Sequence, residues 1–364
     1  MAIELKGNKG EWSELYVFLR LLSDGVLYGA NENLDRLPEQ LYPIIKVMRE
    51  ERKGIELSYC IDGDSIQICN ASTKLKTVAR GDFGIQAKYL LKTINETKGS
   101  SFECASVANF SNGIMVTKLK APSGDTTDIK MTIHDQNINT DSDVGFSIKS
   151  YLGGAPSLLN ASHSTNFIFE VDGIPDSAIE RINQISDGSK IRRRVNSIYN
   201  LGGTIKFLDI ESPVFKSNLI DAVDTNMPAM LAHMMLCYYS SGTYLVSDLL
   251  QKLVEDDPLN QKRDIFYRTK VSELLSSCAL GMKPNTPWSG VEEANGGYIV
   301  VKENGEIVIY HIYNRNTFKN YLLKSTQLET PSSTRHQFGV LYKENGKTKL
   351  KLNLQIRFLK PKSN

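Results

Sequence analysis

The sequence predicts an α/β protein: a mixed central sheet flanked by helices, with a mainly helical insertion and a β-rich C-terminal part. Three observations support this. Residues 11–22 carry a helical apolar period, segments 126–134 and 144–150 alternate with period two, and residues 174–282 return to helical spacing before alternation resumes near the end. The matching division is a core with its N-terminal helix over 1–175, a mainly helical region over 176–285 and a basic β-rich region over 286–364, unless all three pack as one unit.

Taken in order, residues 11–22 place Leu15, Phe18 and Leu22 on one line with Trp12 and Leu19 beside it, and Ser23-Asp24-Gly25 ends the helix. Glu11 sits at the centre of that apolar arc and Glu14 on its margin. A carboxylate aimed into a core needs a cation, whereas one in the first helical turn is stabilised by the macrodipole and can reach water. For Glu11 both readings stand; the margin position of Glu14 favours water. Leu41, Ile44, Ile45 and Met48 predict a second helix over 39–52, followed by strands at 55–59 and 65–69 and a helix over 84–94. Residues 166–171, rich in aromatic and β-branched side chains, read as a third core strand after the 126–134 and 144–150 pair. Helices then follow at 178–185, 218–224, 229–239 and 245–254, punctuated by Pro228 and Pro258.

The strand pair carries the most chemistry. Alternation puts Asp128, Lys130 and Thr132 on one face of the first strand, and Ser147 and Lys149 on one face of the second, with Phe146 and Ile148 opposite. Metal-dependent phosphodiester cleavage needs a carboxylate to hold Mg²⁺ and a cation near the attacking water or the scissile phosphate. The PD-(D/E)XK nucleases meet this with an Asp on one strand and an acidic-x-Lys element on the next. Asp128 and Ser147-Ile148-Lys149 have that spacing, yet Ser147 cannot bring charge to a metal. Either Ser147 plays a weaker or water-mediated part, or another carboxylate supplies the charge. A plain hairpin with a solvated polar face has the same pattern.

Together with Gly7-Asn-Lys-Gly-Glu-Trp-Ser-Glu-Leu-Tyr16, the C-terminal runs Pro331-Ser-Ser-Thr-Arg-His-Gln-Phe-Gly339 and Leu352-Asn-Leu-Gln-Ile-Arg-Phe358 make the chain resemble the HpaII family of type II restriction endonucleases. The resemblance runs over nearly the whole chain, with little to recognise in the middle third. It implies a PD-(D/E)XK nuclease-like sheet and Mg²⁺-dependent cleavage of double-stranded DNA at a short palindrome, CCGG, leaving 5′-phosphates. It also implies a cognate DNA methyltransferase acting on the same site. Asp128 and Lys149 carry over as catalytic residues, with Ser147 at the departed position, and Asp128, Glu11 and Glu14 are the candidate metal ligands. A palindrome favours a two-fold homodimer, although a monomer can nick each strand in turn.

DNA contacts are expected in the C-terminal region. From Val301 onward twelve Lys and Arg face four Asp and Glu, a net of +8 against +2 for the whole chain, so the preceding residues sum to −6. That asymmetry suits a polyanion, or else a solvated lysine-rich edge. Residues 349–358 alternate without a break: Leu350, Leu352, Leu354, Ile356 and Phe358 form an apolar face, and Lys349, Lys351, Asn353, Gln355 and Arg357 a strip of donors. Arg335, His336 and Gln337 lie in the preceding loop, with Arg335 the best placed to read a guanine edge. Arg192-Arg-Arg194 reads as an exposed helix face or a phosphate grip. His134 reads as a satisfied polar residue, and Gly153-Gly154 as a turn rather than a phosphate loop.

Composition narrows the class. The five cysteines, Cys60, Cys69, Cys104, Cys237 and Cys278, show no CxxC spacing, which supports neither a disulfide framework nor a zinc site. No apolar run approaches membrane-spanning length and no signal-peptide pattern is evident, so a bacterial cytoplasmic protein is expected. The rival reading is a DNA-binding regulator silenced by Ser147; a nuclease for RNA or damaged DNA is more remote, because no aromatic stacking array is evident.

Overall fold

The computed structural model describes residues 5–52, 54–120, 127–136, 139–292 and 294–360. Packing divides the chain into two compact units: residues 1–156 with 292–321, and residues 157–291 with 322–364. Where composition suggests three consecutive blocks, packing interleaves two. Thr126, at the expected start of the first site strand, lies outside the described residues.

The first unit is built on a nine-stranded mixed sheet in the order Val26–Ala30, Ile307–His311, Gly297–Val301, Thr140–Ser150, Ile129–Asp135, Arg36–Arg52, Ile55–Asp62, Ser65–Asn70 and Thr73–Ala79; the first strand also pairs with Arg36–Arg52. Helices Lys9–Asp24 and Arg80–Glu96 join one core with it: Trp12, Leu15, Phe18, Phe83 and Leu90 pack among Val47, Tyr59, Ile68, Met131, Phe146 and Ile148. The first helix starts at a capping box. Asn8 Oδ1 accepts from Glu11 N and the Glu11 carboxylate accepts from Asn8 N. Gly7 makes room for it, since a Cβ there would lie 2.7 Å from Glu11 Oε2. Gly25, at φ 67°, closes the other end in the left-handed conformation.

The expected helix over 39–52 is a strand. Its buried residues run Tyr42, Ile44, then Val47 and Glu51, because the pairing with Ile129–Asp135 slips between Ile44 and Lys46. That bulge breaks the period-two pattern and leaves apolar residues at helical-looking intervals. A second correction concerns the strand at 166–171. It forms, as Asn166–Asp172, but in the second unit's sheet. The neighbour of Thr140–Ser150 on its far side is instead the wholly buried Gly297–Val301, running parallel with Tyr298 opposite Ser147 and Val300 opposite Lys149.

The second unit holds an antiparallel four-stranded sheet (Thr204–Ile210, Asn166–Asp172, Lys347–Asn353, Leu341–Glu344) and a smaller one (Ser157–Leu159, Ile356–Phe358, Thr326–Leu328). Its helices are Asp176–Asn183, Lys190–Asn200, Pro213–Ala222, Met227–Ser241, Val246–Asp256, Asp264–Leu280 and the short Ser333–His336, so the helical stretch appears where periodicity placed it. The arginine triplet is divided in role. Arg192 is exposed and Arg193 pairs with Asp187, but Arg194 is buried and donates to the carbonyls of Asn183, Ile185 and Gly339. Arg194→Met removes these charge-assisted bonds and strands their acceptors; we expect a loss of about 2–3 kcal/mol, read as a lower denaturant midpoint.

Candidate active site

Asp128 stands just before the Ile129–Asp135 strand and is tied to its neighbour. Its backbone N–H donates to Phe146 O, and its Oδ2 accepts from Ile148 N at 2.7 Å and Ser147 Oγ at 3.2 Å. The register of the two strands, Ile129 opposite Phe146, brings Asp128 level with Ser147. Ser147 is buried at 7% exposure and its hydroxyl serves Asp128. Lys149 follows two residues on, half-buried and on the face of the strand that Ser147 occupies.

For Glu11 the structure takes the first-turn reading of the two left open, and for Glu14 it departs from the water-facing position expected. Glu11 closes its own helix cap and does not aim into the core. Glu14 is the enclosed one: its Oε2 is shut off from solvent and has no hydrogen-bond partner among the described residues. Burial, followed by the nearby charge of Asp128, pushes its pKa up to about 8, with Lys120 and Arg49 acting in the opposite sense. Glu14, Arg49, Glu56, Thr127 and Asp128 line one small cavity. Helical geometry alone could not locate Glu14's burial, because the enclosing residues arrive from strands remote in sequence.

Arg49 is a residue that sequence reasoning missed. It sits on the strand mistaken for a helix, donates to Glu51 Oε1 at 2.8 Å and to Lys118 O at 2.8 Å, and covers the Phe18 ring at 5.1 Å. Its guanidinium is thereby fixed beside the acidic cavity. His134 is satisfied by Asp141 at 2.8 Å, as expected of a strand-end histidine.

In the second unit the expected strip of donors does not form as one strand. The apolar residues Leu350, Leu352, Leu354, Ile356 and Phe358 are all buried, but the chain leaves the strand at Leu354 and Gln355 and changes sheets. Lys349 pairs with Glu344, Lys351 with Glu211 and Arg357 with Glu329. Asn353 is 2% exposed, and its amide is consumed by Ser162 O and Asn166 Oδ1, so it cannot meet a base. Gln355 is half-buried beyond the break. The loop expectation fares differently: Arg335 and Gln337 are exposed and His336 half-buried on the Ser333–His336 turn, which Ser332 caps. Gln337, Thr334, Lys190, Tyr342 and Lys351 line a surface hollow of about 440 Å³.

The chain matches the HpaII restriction endonuclease family over residues 8–358. It is 39% identical over 358 residues to the type II restriction enzyme HpaII of Haemophilus parainfluenzae, an alignment that spans 97% of this chain and 98% of that protein. No solved structure matches it.

A carboxyl group whose pKa is higher folded than unfolded stabilises the fold fully below the unfolded value and loses that contribution as pH rises through the folded one. For Glu14 the window runs from 4.5 to about 8. The metal-free protein should therefore lose stability across this range, and Glu14→Gln should flatten the loss in denaturant titrations at pH 5, 7 and 8.5. Equal slopes in the two proteins would show that Glu14 is not the protonated group.

Proposed function

Since the chain belongs to the HpaII restriction endonuclease family and is a type II restriction endonuclease, we propose that its first unit is a PD-(D/E)XK-type nuclease core with its catalytic centre at Asp128, Ser147, Lys149 and Glu14. The observation that carries this reading is the enclosed Glu14 Oε2 beside Asp128, without a hydrogen-bond partner among the described residues. Two carboxyl groups near one another in a low-dielectric cavity fit a hard divalent cation, and Mg²⁺ suits an all-oxygen donor set. Asp128 and Glu14 would hold it, with Glu11 left to its cap. Bound there, the ion supplies Lewis-acid polarisation of the phosphate and a lower pKa for water.

The rest falls to the chain's own groups. Ser147 no longer needs to bring charge: its hydroxyl and the Ile148 N–H orient the Asp128 carboxylate, while Glu14 supplies the second negative charge from the helix. The raised pKa of Glu14 favours its neutral form in the metal-free protein, and Glu14 would give up that proton to hold a cation. Lys149 orients the attacking water and balances charge on the phosphate, and Arg49 limits the repulsion between the acids. Water attack at phosphorus then leaves a 5′-phosphate and a 3′-hydroxyl. The substrate is double-stranded DNA with the CCGG site of the family, cut by a two-fold pair of chains in a bacterial cytoplasm and protected by a methyltransferase on the same site. Among the described residues no helix is long and apolar enough to cross a membrane. In the second unit, Arg335 is the base-reading candidate, with Gln337 and His336 beside it and Lys190 and Lys351 toward the phosphates.

Digestion of a sequenced plasmid with Mg²⁺ and with EDTA tests the whole reading. Discrete Mg²⁺-dependent fragments ending within CCGG, ligatable without added kinase, are expected; ends elsewhere would remove the site assignment. Asp128→Ala and Lys149→Ala should each lower the single-turnover rate by about 10²–10⁴-fold while DNA binding persists, and full activity in either would overturn its role. Arg335→Ala should cost about 1–3 kcal/mol of discrimination, seen as a smaller ratio of cognate to mismatched binding. An unchanged ratio would exclude it as a reader.

A further inference from the structure

The second unit brings together three side chains of metal-ligand type that this reading leaves unused. His233 and Cys237 are four residues apart on the Met227–Ser241 helix, so they share one face. Asp256 is the last residue of the adjoining Val246–Asp256 helix. One donor atom from each, the histidine ring nitrogen, the thiol sulfur and a carboxylate oxygen, lies within 4.8 Å of the others. His233 Nε2 and Asp256 Oδ2 are already 2.7 Å apart, and Cys237 is half-buried.

The position of Asp256 is set by the turn that follows it. Asp257 takes a left-handed conformation at φ 40°, its Oδ1 accepts from Tyr267 Oη at 2.6 Å and Gln261 N at 2.8 Å, and its Oδ2 accepts from Lys262 N at 3.0 Å. Asp257 is thus spent on the turn, and Asp256 is left facing the other helix. The three donors therefore stand on two braced helices rather than on a loop.

We propose that His233, Cys237 and Asp256 form a binding site for a thiolate-seeking divalent transition metal of the zinc type. The donor set decides the class. A thiolate and an imidazole are poor ligands for Mg²⁺ or Ca²⁺ but suit a borderline-soft ion, and three protein ligands leave a fourth tetrahedral position for water. Metal–ligand lengths of about 2.0–2.3 Å require ligand atoms roughly 3.3–3.6 Å apart, so a cluster within 4.8 Å would draw in by about 1 Å at its widest while His233 Nε2 and Asp256 Oδ2, now 2.7 Å apart, open to admit the ion. Charge also closes: one thiolate and one carboxylate neutralise a divalent ion, and the thiol proton is released to solvent as the bond to sulfur forms. Bound metal would pin the two helices together and stabilise the folded chain by mass action.

The probe is Co²⁺, which reports thiolate ligation directly through a near-ultraviolet charge-transfer band, added to the full-length protein without DNA. One equivalent should raise the band, Zn²⁺ should abolish it, and Cys237→Ser should prevent it while leaving the melting profile in EDTA unchanged. Cys60 and Cys69 form a neighbouring thiol pair in the first unit. The double variant Cys60→Ser, Cys69→Ser must therefore keep the band, and Asp256→Asn must weaken Co²⁺ binding. No band with Co²⁺ in excess, or a band that survives Cys237→Ser, would overturn the site. Because no step uses cleavage, a failure here leaves the nuclease reading standing, and the reverse also holds.

Discussion

Two acids held close together where water is scarce are the constraint around which the first unit is arranged. Asp128 is fixed to the neighbouring strand by the Ile148 amide and the Ser147 hydroxyl. Glu14 is carried in by a helix whose start is set by the Asn8–Glu11 cap and whose end is set by Gly25. Unlike a surface pair, these groups cannot relax their repulsion by turning into solvent, and burial together with the charge of Asp128 raises the pKa of Glu14 and favours its neutral form. Arg49 and Lys120 moderate that tension without removing it. Phe18 and the core beneath it hold the cavity narrow, which keeps the carboxyl group out of water.

The second unit manages charge in the opposite way. Its basic C-terminal sequence meets acids that come from earlier in the chain: Lys343 meets Asp176, Lys347 meets Glu170 and Lys351 meets Glu211. A linear count of charge therefore overstates the positive surface, because folding interleaves the basic strands with acidic partners. Where both partners are exposed, as in Lys343–Asp176, such pairs contribute little to stability and exchange readily for other counter-charges. A phosphate backbone could compete for the same lysines, so a paired lysine remains compatible with DNA contact in a way that the buried Asn353 amide is not.

How much of this was legible in the sequence depended on whether the deciding neighbour was local. The first helix was readable because its cap, apolar stripe and terminating glycine are contiguous. The pairing of Asp128 with Ser147 was readable because two short alternating runs lie close together. The Arg36–Arg52 strand was not, since a bulge at Ile44 to Lys46 shifts the phase of alternation and imitates a helical interval. Glu14 was misjudged because what encloses it comes from strands far along the chain. The run at 349–358 showed its buried face correctly, yet nothing in strict alternation marks the point where the chain leaves one sheet for another.

The late return of the chain to its first sheet has a consequence for synthesis. Thr140–Ser150, which carries Ser147 and Lys149, has Gly297–Val301 as its parallel neighbour, and the whole of 157–291 is made in between. On the ribosome, the Thr140–Ser150 strand therefore keeps an open edge until most of the second unit has emerged, and closing so long a loop is entropically slow. A prematurely ended chain lacks Tyr298 and Val300 against that strand, along with the hairpin that follows. An incomplete chain thus lacks one neighbour of the strand that carries Ser147 and Lys149, and the sheet of the first unit closes only once the hairpin of Gly297–Val301 and Ile307–His311 has been made.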